Sequence, residues 1–135
     1  MTPAIYMEKA ERALAGARLP LAAQDTEGAS NRAYYAMFDA AHAALLAACI
    51  PVAEGSIKTH AGLITMFGKH LVQAGPVDAE FGRSFNKVQR LRQLADYTGD
   101  NVALADAAWA VEQAGAFVQA MRDKFMPLLP SPPAR

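Results

Sequence analysis

The stretch ASNRAYYAMFDAAHAALL, residues 29–46, decides the fold, because its pattern favours a buried helix. At about 100° per residue, its bulky side chains fall on one face and its alanines cover much of the other. The bulky face comprises Tyr34, Tyr35, Phe38, Leu45, Leu46 and Cys49; the small face comprises Ala33, Ala36, Ala40, Ala43, Ala44 and Ala47. A helix that is apolar nearly all round is buried, and small side chains let a neighbour approach closely. This helix is therefore predicted to be the centre of a helical bundle or to face a second subunit.

The rest of the chain adds four more helical segments and no alternating β-branched runs. Prolines and capping residues at their ends predict helices over residues 3–18, 26–50, 59–73, 78–97 and 102–126. The expected N-terminal caps are Asp25 or Thr26, Ser56 or Thr59, Asp78, and Asp100 or Asn101. The fold class predicted is all-α, an antiparallel bundle of four long helices plus one shorter helix.

The length of 135 residues fits one domain. Residues 1–126 are predicted to form a single helical domain. Residues 127–135, PLLPSPPAR, are rich in proline and are predicted to be a disordered tail.

Composition excludes several classes of protein. The chain is 53% hydrophobic, and 13 basic residues balance 13 acidic ones, so any nucleic-acid contact needs a local basic patch. One cysteine, Cys49, excludes an internal disulfide and a multi-cysteine zinc site. The three histidines have no metal-ligand spacing, and no phosphate loop or nucleophile elbow is present, so neither a metal nor a cofactor is expected. With no signal peptide and no uncharged apolar run of membrane-spanning length, we expect a soluble, cytoplasmic protein without membrane contact.

The fourth helix, within SFNKVQRLRQLADYTGD (residues 84–100), carries a misplaced cation. Arg92 falls inside an apolar arc formed by Phe81, Phe85, Val88, Leu91 and Ala95. Asp96 lies one turn further on, so the two charges form either a structural ion pair or an anion site in a cleft. A second set, Arg83, Lys87 and Arg90, forms a basic stripe on another side, which is either a solvated face or a track for a phosphate backbone.

Two polar residues of the second helix also stand out. Asn31 points to the same side as Phe38 and could face the same cleft as Arg92. His42 lies on the bulky face, where a lone histidine is more often a core residue than a ligand.

Three blocks of this sequence together resemble the HEPN domain (higher eukaryotes and prokaryotes nucleotide-binding). They are ASNRAYYAMFDAAHAALL (29–46), KTHAGLITMFGKHLVQAG (58–75) and RLRQLADYTGD (90–100), and the similarity spans roughly residues 5–125. The resemblance implies a compact bundle of four to five helices, often a homodimer. Many members are toxins of bacterial toxin–antitoxin pairs, neutralised by a small nucleotidyltransferase. Active members are metal-independent endoribonucleases, in which an arginine binds the scissile phosphate and a histidine four to six residues later serves acid–base chemistry.

The family motif carries over only in part. Arg92 matches the motif arginine, but Tyr97 stands where the histidine is expected, and no histidine follows His70. Starting from Arg90 instead puts Ala95 at the histidine position and Tyr97 where some members carry a tyrosine modified by the partner. A tyrosine with a pKa near 10 is a poor base at pH 7, although it can bond to a phosphate or stack on a base.

The resemblance therefore gives two hypotheses beside a purely structural helical interaction module. The first is a nucleotide- or RNA-binding, toxin-like protein that forms a homodimer and acts with a nucleotidyltransferase antitoxin. The second is a metal-independent endoribonuclease with a degenerate active site. The candidate catalytic residues are Arg92, Asp96 and Tyr97, and the candidate phosphate- or nucleotide-binding residues are Asn31, Lys58, His60, Lys87 and Arg90.

Overall fold

The structure, a computed structural model, describes residues 2–50, 59–98 and 101–126, and for residues 95–98 it describes the backbone only. Five α-helices account for most of these residues: α1 (Pro3–Ala22), α2 (Thr26–Ala47), α3 (His60–Phe67), α4 (Ala79–Thr98) and α5 (Leu104–Phe125). A π-helical segment, Gly68–Gln73, continues α3. The described ranges contain no strand, so the all-α prediction is confirmed. The predicted tail, residues 127–135, lies outside the described residues.

The second helix is the centre of the bundle, as one of the two predicted alternatives had it. Helix α2 packs against α1, α3, α4 and α5. We call the fully buried alanines of α1, α2 and α5 the alanine seam; they are Ala10, Ala17, Ala29, Ala33, Ala36, Ala40, Ala41, Ala43, Ala44, Ala107, Ala110 and Ala114. Because these side chains are already buried within one chain, they are not available to face a second subunit.

A second part of the core is built from large aromatic rings. Phe117 of α5 lies 5.3 Å from Phe67 of α3 and 5.2 Å from Phe85 of α4, measured between ring centroids. Phe81 adds a fourth ring, 6.1 Å from Phe117. Aromatic pairs at these spacings stabilise a core beyond the area they bury. This aromatic cluster holds α3 and α4 against α5, and so determines where the polar face of α4 lies.

The first helix continues past the point where its end was predicted. It was expected to stop near Arg18 with Pro20 as a breaker, but it runs to Ala22 with Pro20 inside its last turn. The Asp25 N–H donates to the Pro20 carbonyl at 2.7 Å, and Gln24 adopts a left-handed conformation, with φ 62°. These are the features of a Schellman C-cap. Because proline has no backbone N–H, one intrahelical hydrogen bond is lost here. The cap satisfies the carbonyls of the same last turn, so the helix tolerates Pro20 at this position.

The second helix ends in the same way, and this corrects the position of Cys49. Helix α2 stops at Ala47 rather than near Ile50. Cys49, with φ 59°, occupies the left-handed position, and the Ile50 N–H donates to the Leu45 carbonyl at 3.1 Å. Cys49 is therefore exposed beyond the helix and is not part of its bulky face.

The helix starts agree with the predicted caps in some places and not in others. The hydroxyl of Thr2, the carboxylate of Asp25 and the hydroxyl of Thr59 each accept a hydrogen bond from the backbone N–H three residues further on, at 3.2, 3.0 and 2.9 Å. The prediction of Asp100 or Asn101 as the cap of the last helix is wrong. That helix begins at Leu104, with Ala103 at the N-cap position and no side-chain cap bond.

Candidate functional site

Arg92 of α4 is half-buried, and its guanidinium is held by two amide side chains. Its Nε donates to Oδ1 of Asn31 at 3.0 Å, across 61 positions of sequence, and its Nη1 lies 3.5 Å from Oε1 of Gln89. Asn31 is exposed near the start of α2, whereas Gln89 is buried one turn before Arg92. The structure thus brings Asn31 and Arg92 together, as expected if both face one cleft. Their role in binding stays a prediction.

Two tyrosines of α2 form a platform beneath the guanidinium. The guanidinium carbon of Arg92 lies 5.0 Å from the ring centroid of Tyr34 and 5.4 Å from that of Tyr35. Stacking of this kind contributes about 0.5–2 kcal/mol and fixes the plane of the cation. Sequence reasoning assigned both tyrosines to packing alone. The sequence contained one signal for a role at this site: Tyr34 lies three positions after Asn31 on the same helix, and therefore close to it.

His60, the first residue of α3, packs onto the same two rings. Its centroid lies 5.3 Å from that of Tyr34 and 5.6 Å from that of Tyr35, with Phe38 closer still at 4.7 Å. Burial, and then the positive charge of Arg92, lower the pKa of His60 below its ordinary value. Its Nδ1 is buried and has no hydrogen-bond partner among the described residues. We call this set the Arg92 cluster; it comprises Asn31, Tyr34, Tyr35, His60, Gln89 and Arg92.

The hydroxyl of Tyr34 is the second unpaired polar atom in the Arg92 cluster. Tyr34 is fully buried, and its hydroxyl has no hydrogen-bond partner in the described part of the chain. Burial raises the pKa of this phenol well above its usual range, and the nearby Arg92 offsets only part of the rise. The hydroxyl is therefore neutral at any physiological pH.

Substitution of Tyr34 by phenylalanine tests how the ring and its hydroxyl contribute. We expect Tyr34→Phe to leave the free energy of unfolding within about 0.5 kcal/mol of the wild type or to raise it, because no partner loses its bond. Tyr34→Ala, which also removes the ring, should cost about 3–5 kcal/mol. Urea unfolding measures both, and a loss above about 1 kcal/mol for Tyr34→Phe would mean that the hydroxyl has a partner.

A basic groove lies beside the Arg92 cluster, between α3 and α4. The groove has a volume of about 640 Å³ and is lined by Ala61, Ile64, Thr65, Arg83, Asn86, Lys87, Gln89, Arg90 and Gln93. Three of these residues are basic and none is acidic. Gln89 belongs both to this α3–α4 groove and to the Arg92 cluster, so the two are contiguous. The stripe predicted on α4 is therefore one wall of a concave surface.

An indole at the edge of α5 accompanies the basic stripe. The Lys87 ammonium lies 4.7 Å from the centre of the Trp109 ring, in a cation–π contact, and Trp109 is partly exposed. Trp109 was not predicted as part of the site, because it lies on a different helix from Lys87 and no spacing in the sequence connects the two residues.

Three predicted site residues cannot be located. Lys58 and the side chains of Asp96 and Tyr97 lie outside the described residues, so the Arg92–Asp96 ion pair stays a prediction. His42 lies apart from the cluster and stacks on Tyr6 of α1, at 4.0 Å between centroids, which is the packing role expected of it.

Comparison with known proteins shows the family to which this chain belongs. The family model described as "HEPN domain" matches residues 4–124, and the chain therefore belongs to the HEPN family. "UPF0332 protein glr0978" of Gloeobacter violaceus is 37% identical over 115 residues, covering 84% of this chain and 87% of that protein. "Putative toxin MJ0605" of Methanocaldococcus jannaschii is 33% identical over 123 residues, covering 91% and 88%. No helix in the described ranges is both long enough and apolar enough to cross a membrane.

Proposed function

We propose that this chain is a toxin-like HEPN protein that binds RNA through its phosphates, with Arg92 as the central phosphate contact. The observation that carries the proposal is the state of the Arg92 guanidinium, which is stacked on two tyrosines and bonded to Asn31. A guanidinium whose plane is fixed in this way presents the planar geometry that matches phosphate oxygens. Holding it in advance lowers the entropy lost on binding.

The α3–α4 groove supplies the path for the neighbouring phosphates. Its three cations, Arg83, Lys87 and Arg90, are exposed, and none of the described residues that line the groove is a carboxylate that would compete for them. This local charge matters because the chain as a whole is neutral. Trp109 beside Lys87 offers a surface on which a base can stack, the usual complement to a basic groove in single-strand binding.

The biological setting that we propose is one half of a bacterial toxin–antitoxin pair. Family membership and the toxin names of two of its relatives support it. In this proposal the chain acts in the cytoplasm as a homodimer, and a small nucleotidyltransferase neutralises it. Tyr97 would be the residue that the partner modifies.

Neutralising the groove tests the binding mode. Replacing Arg83, Lys87 and Arg90 by glutamine should lower the slope of log K against log salt by about 2, since each phosphate contact on a single strand contributes about 0.7. At low salt the Kd should weaken about tenfold or more. The measurement is fluorescence anisotropy with a labelled single-stranded RNA over a salt series.

A matched control changes the same number of charges elsewhere. Replacing Arg12, Arg18 and Lys124 by glutamine removes three exposed cations from α1 and α5, outside the groove. This control should keep the wild-type slope. If both triple variants lowered the slope equally, RNA binding would depend only on the total charge of the protein. The groove would then not be the binding path.

A further inference from the structure

We propose that His60 supplies the acid–base imidazole of this site, so that the Arg92 cluster cleaves RNA although the position five residues after Arg92 holds a tyrosine. This inference rests on the proposed RNA binding and adds to it a reaction and the residue that performs it. The imidazole comes from the first turn of α3 rather than from the end of α4.

The geometry that supports this proposal is the shared tyrosine platform. His60 and the Arg92 guanidinium each lie within 6 Å of the ring centroids of both Tyr34 and Tyr35. The charge of Arg92 also acts on the imidazole, so in this proposal the ribose that adjoins a phosphate bound at Arg92 lies beside His60. Since Nδ1 of His60 is closed off by burial, Nε2 is the nitrogen that a ribose hydroxyl would meet.

The surroundings of His60 keep the imidazole in the form that a general base needs. Burial and the charge of Arg92 both favour the neutral ring, and so does the N-terminus of α3, whose dipole disfavours a cation there. Among the described side chains, the titratable groups that face it are Tyr34 and Tyr35 from α2 and Arg92 from α4. None of these supplies a negative charge at pH 7 that would reverse the effect.

The reaction is an internal transfer of the phosphoryl group, and it needs no co-reactant. Nε2 of His60 accepts the proton of the ribose 2′-hydroxyl, and the 2′-oxygen forms a bond to phosphorus. The bond from phosphorus to the 5′-oxygen breaks, and this oxygen takes a proton from water. The products are a 2′,3′-cyclic phosphate and a 5′-hydroxyl end, and the imidazolium returns its proton to solvent. Arg92 stabilises the negative charge that grows on the phosphate oxygens.

A purely structural role for His60 is the competing explanation, because the ring also stacks on Phe38. His60→Phe distinguishes the two roles, since phenylalanine keeps a flat ring in the aromatic stack and removes both nitrogens. His70→Phe is the matched control: it removes the imidazole of His70, which is half-buried in the π-helical segment away from the Arg92 cluster.

The experiment measures binding and cleavage separately, in the presence of EDTA. Binding is measured with an all-2′-deoxy analogue of a single-stranded RNA, which lacks the attacking hydroxyl, and cleavage with the RNA itself. We expect the wild type to yield 2′,3′-cyclic ends. His60→Phe should bind the analogue with the wild-type Kd and cleave the RNA about 10²–10⁴-fold more slowly, the usual contribution of general-base catalysis. His70→Phe should match the wild type in both measurements.

The pH profile gives a readout that packing would not affect. Because the base must be neutral and its pKa is lowered, the wild-type rate should reach half its maximum below pH 6.5, the ordinary value for histidine. Cleavage by His60→Phe at the wild-type rate, or wild-type protein that binds RNA without cleaving it, would overturn this inference alone. Wild-type protein that binds neither RNA nor the analogue would overturn the proposed function as well.

Discussion

Arg92→Ala is expected to weaken RNA binding by roughly 10- to 150-fold, since a hydrogen-bonded contact to a charged group contributes about 1.5–3 kcal/mol. The loss should be this large because Arg92 is oriented before the ligand arrives, through Asn31 and the two tyrosine rings. In cells, the same variant should no longer inhibit growth when it is expressed without an antitoxin. Anisotropy and a growth assay are the two measurements.

Arg92→Lys separates the charge of this residue from its geometry. Lysine keeps the positive charge but has no planar fork, so its binding should fall between wild type and Arg92→Ala. Arg12→Ala removes an exposed arginine from α1 and serves as the matched control, with binding and growth inhibition unchanged. If the proposed toxin–antitoxin pair is right, co-expression of its nucleotidyltransferase antitoxin should relieve the growth inhibition caused by the wild type.

Stability measurements decide whether Arg92 is a binding residue or a packing residue. Urea unfolding of Arg92→Ala should show a loss of about 2 kcal/mol or more, from the charged hydrogen bond to Asn31, the contact with Gln89 and the stacking on the tyrosines. If Arg92→Ala fails to fold, and Arg92→Lys folds but binds RNA as the wild type does, then the guanidinium serves packing. The purely structural hypothesis for this residue would then be the right one.

Phe117→Ala is expected to lower the free energy of unfolding by about 3–5 kcal/mol. Phe117 is fully buried and touches Phe67, Phe81 and Phe85, so its removal leaves a cavity where α3, α4 and α5 meet. Small domains are stable by only about 5–15 kcal/mol, so the variant should be marginal at 37 °C. The midpoint of urea unfolding measures the loss.

Phe117→Leu is the control for this prediction. It fills most of the cavity and should cost clearly less, about 1–2 kcal/mol. A loss near 1 kcal/mol for Phe117→Ala would contradict the assigned role, since it would mean that the helices close up around the gap. Because the same cluster positions α4, Phe117→Ala should also weaken RNA binding under conditions in which it remains folded.

Much of the fold could be predicted because its signals are local. Asp25 and Thr59 each accept from an N–H only three residues away, so the sequence alone offered them as caps, each beside one alternative, Thr26 and Ser56. The errors fall where local signals compete. Pro20 is a strong breaker in the middle of a helix but is tolerated in a last turn that the Asp25 N–H closes. Asn101 has the right chemistry for a cap, yet α5 begins three residues later.

The candidate site was predictable only in part, because its members come from three helices. Helical periodicity gave the face of α2 on which Asn31 lies, and the hydrogen bond from Arg92 shows that the two side chains meet. The tyrosine platform could not be separated from ordinary packing, since a buried tyrosine and a tyrosine beneath a guanidinium have the same periodicity. The position of His60 against that platform depends on how α3 crosses α2, which no spacing in the sequence specifies.

The alanine seam has a consequence for how this protein can diverge. Its residues have no exposed surface, so any larger side chain there would push α1, α2 and α5 apart. Arg83, Lys87 and Arg90 on the outer wall of α4 face solvent, and the core does not restrict their replacement. Descendants of this sequence can therefore change the charge of this wall while keeping the same three-helix frame.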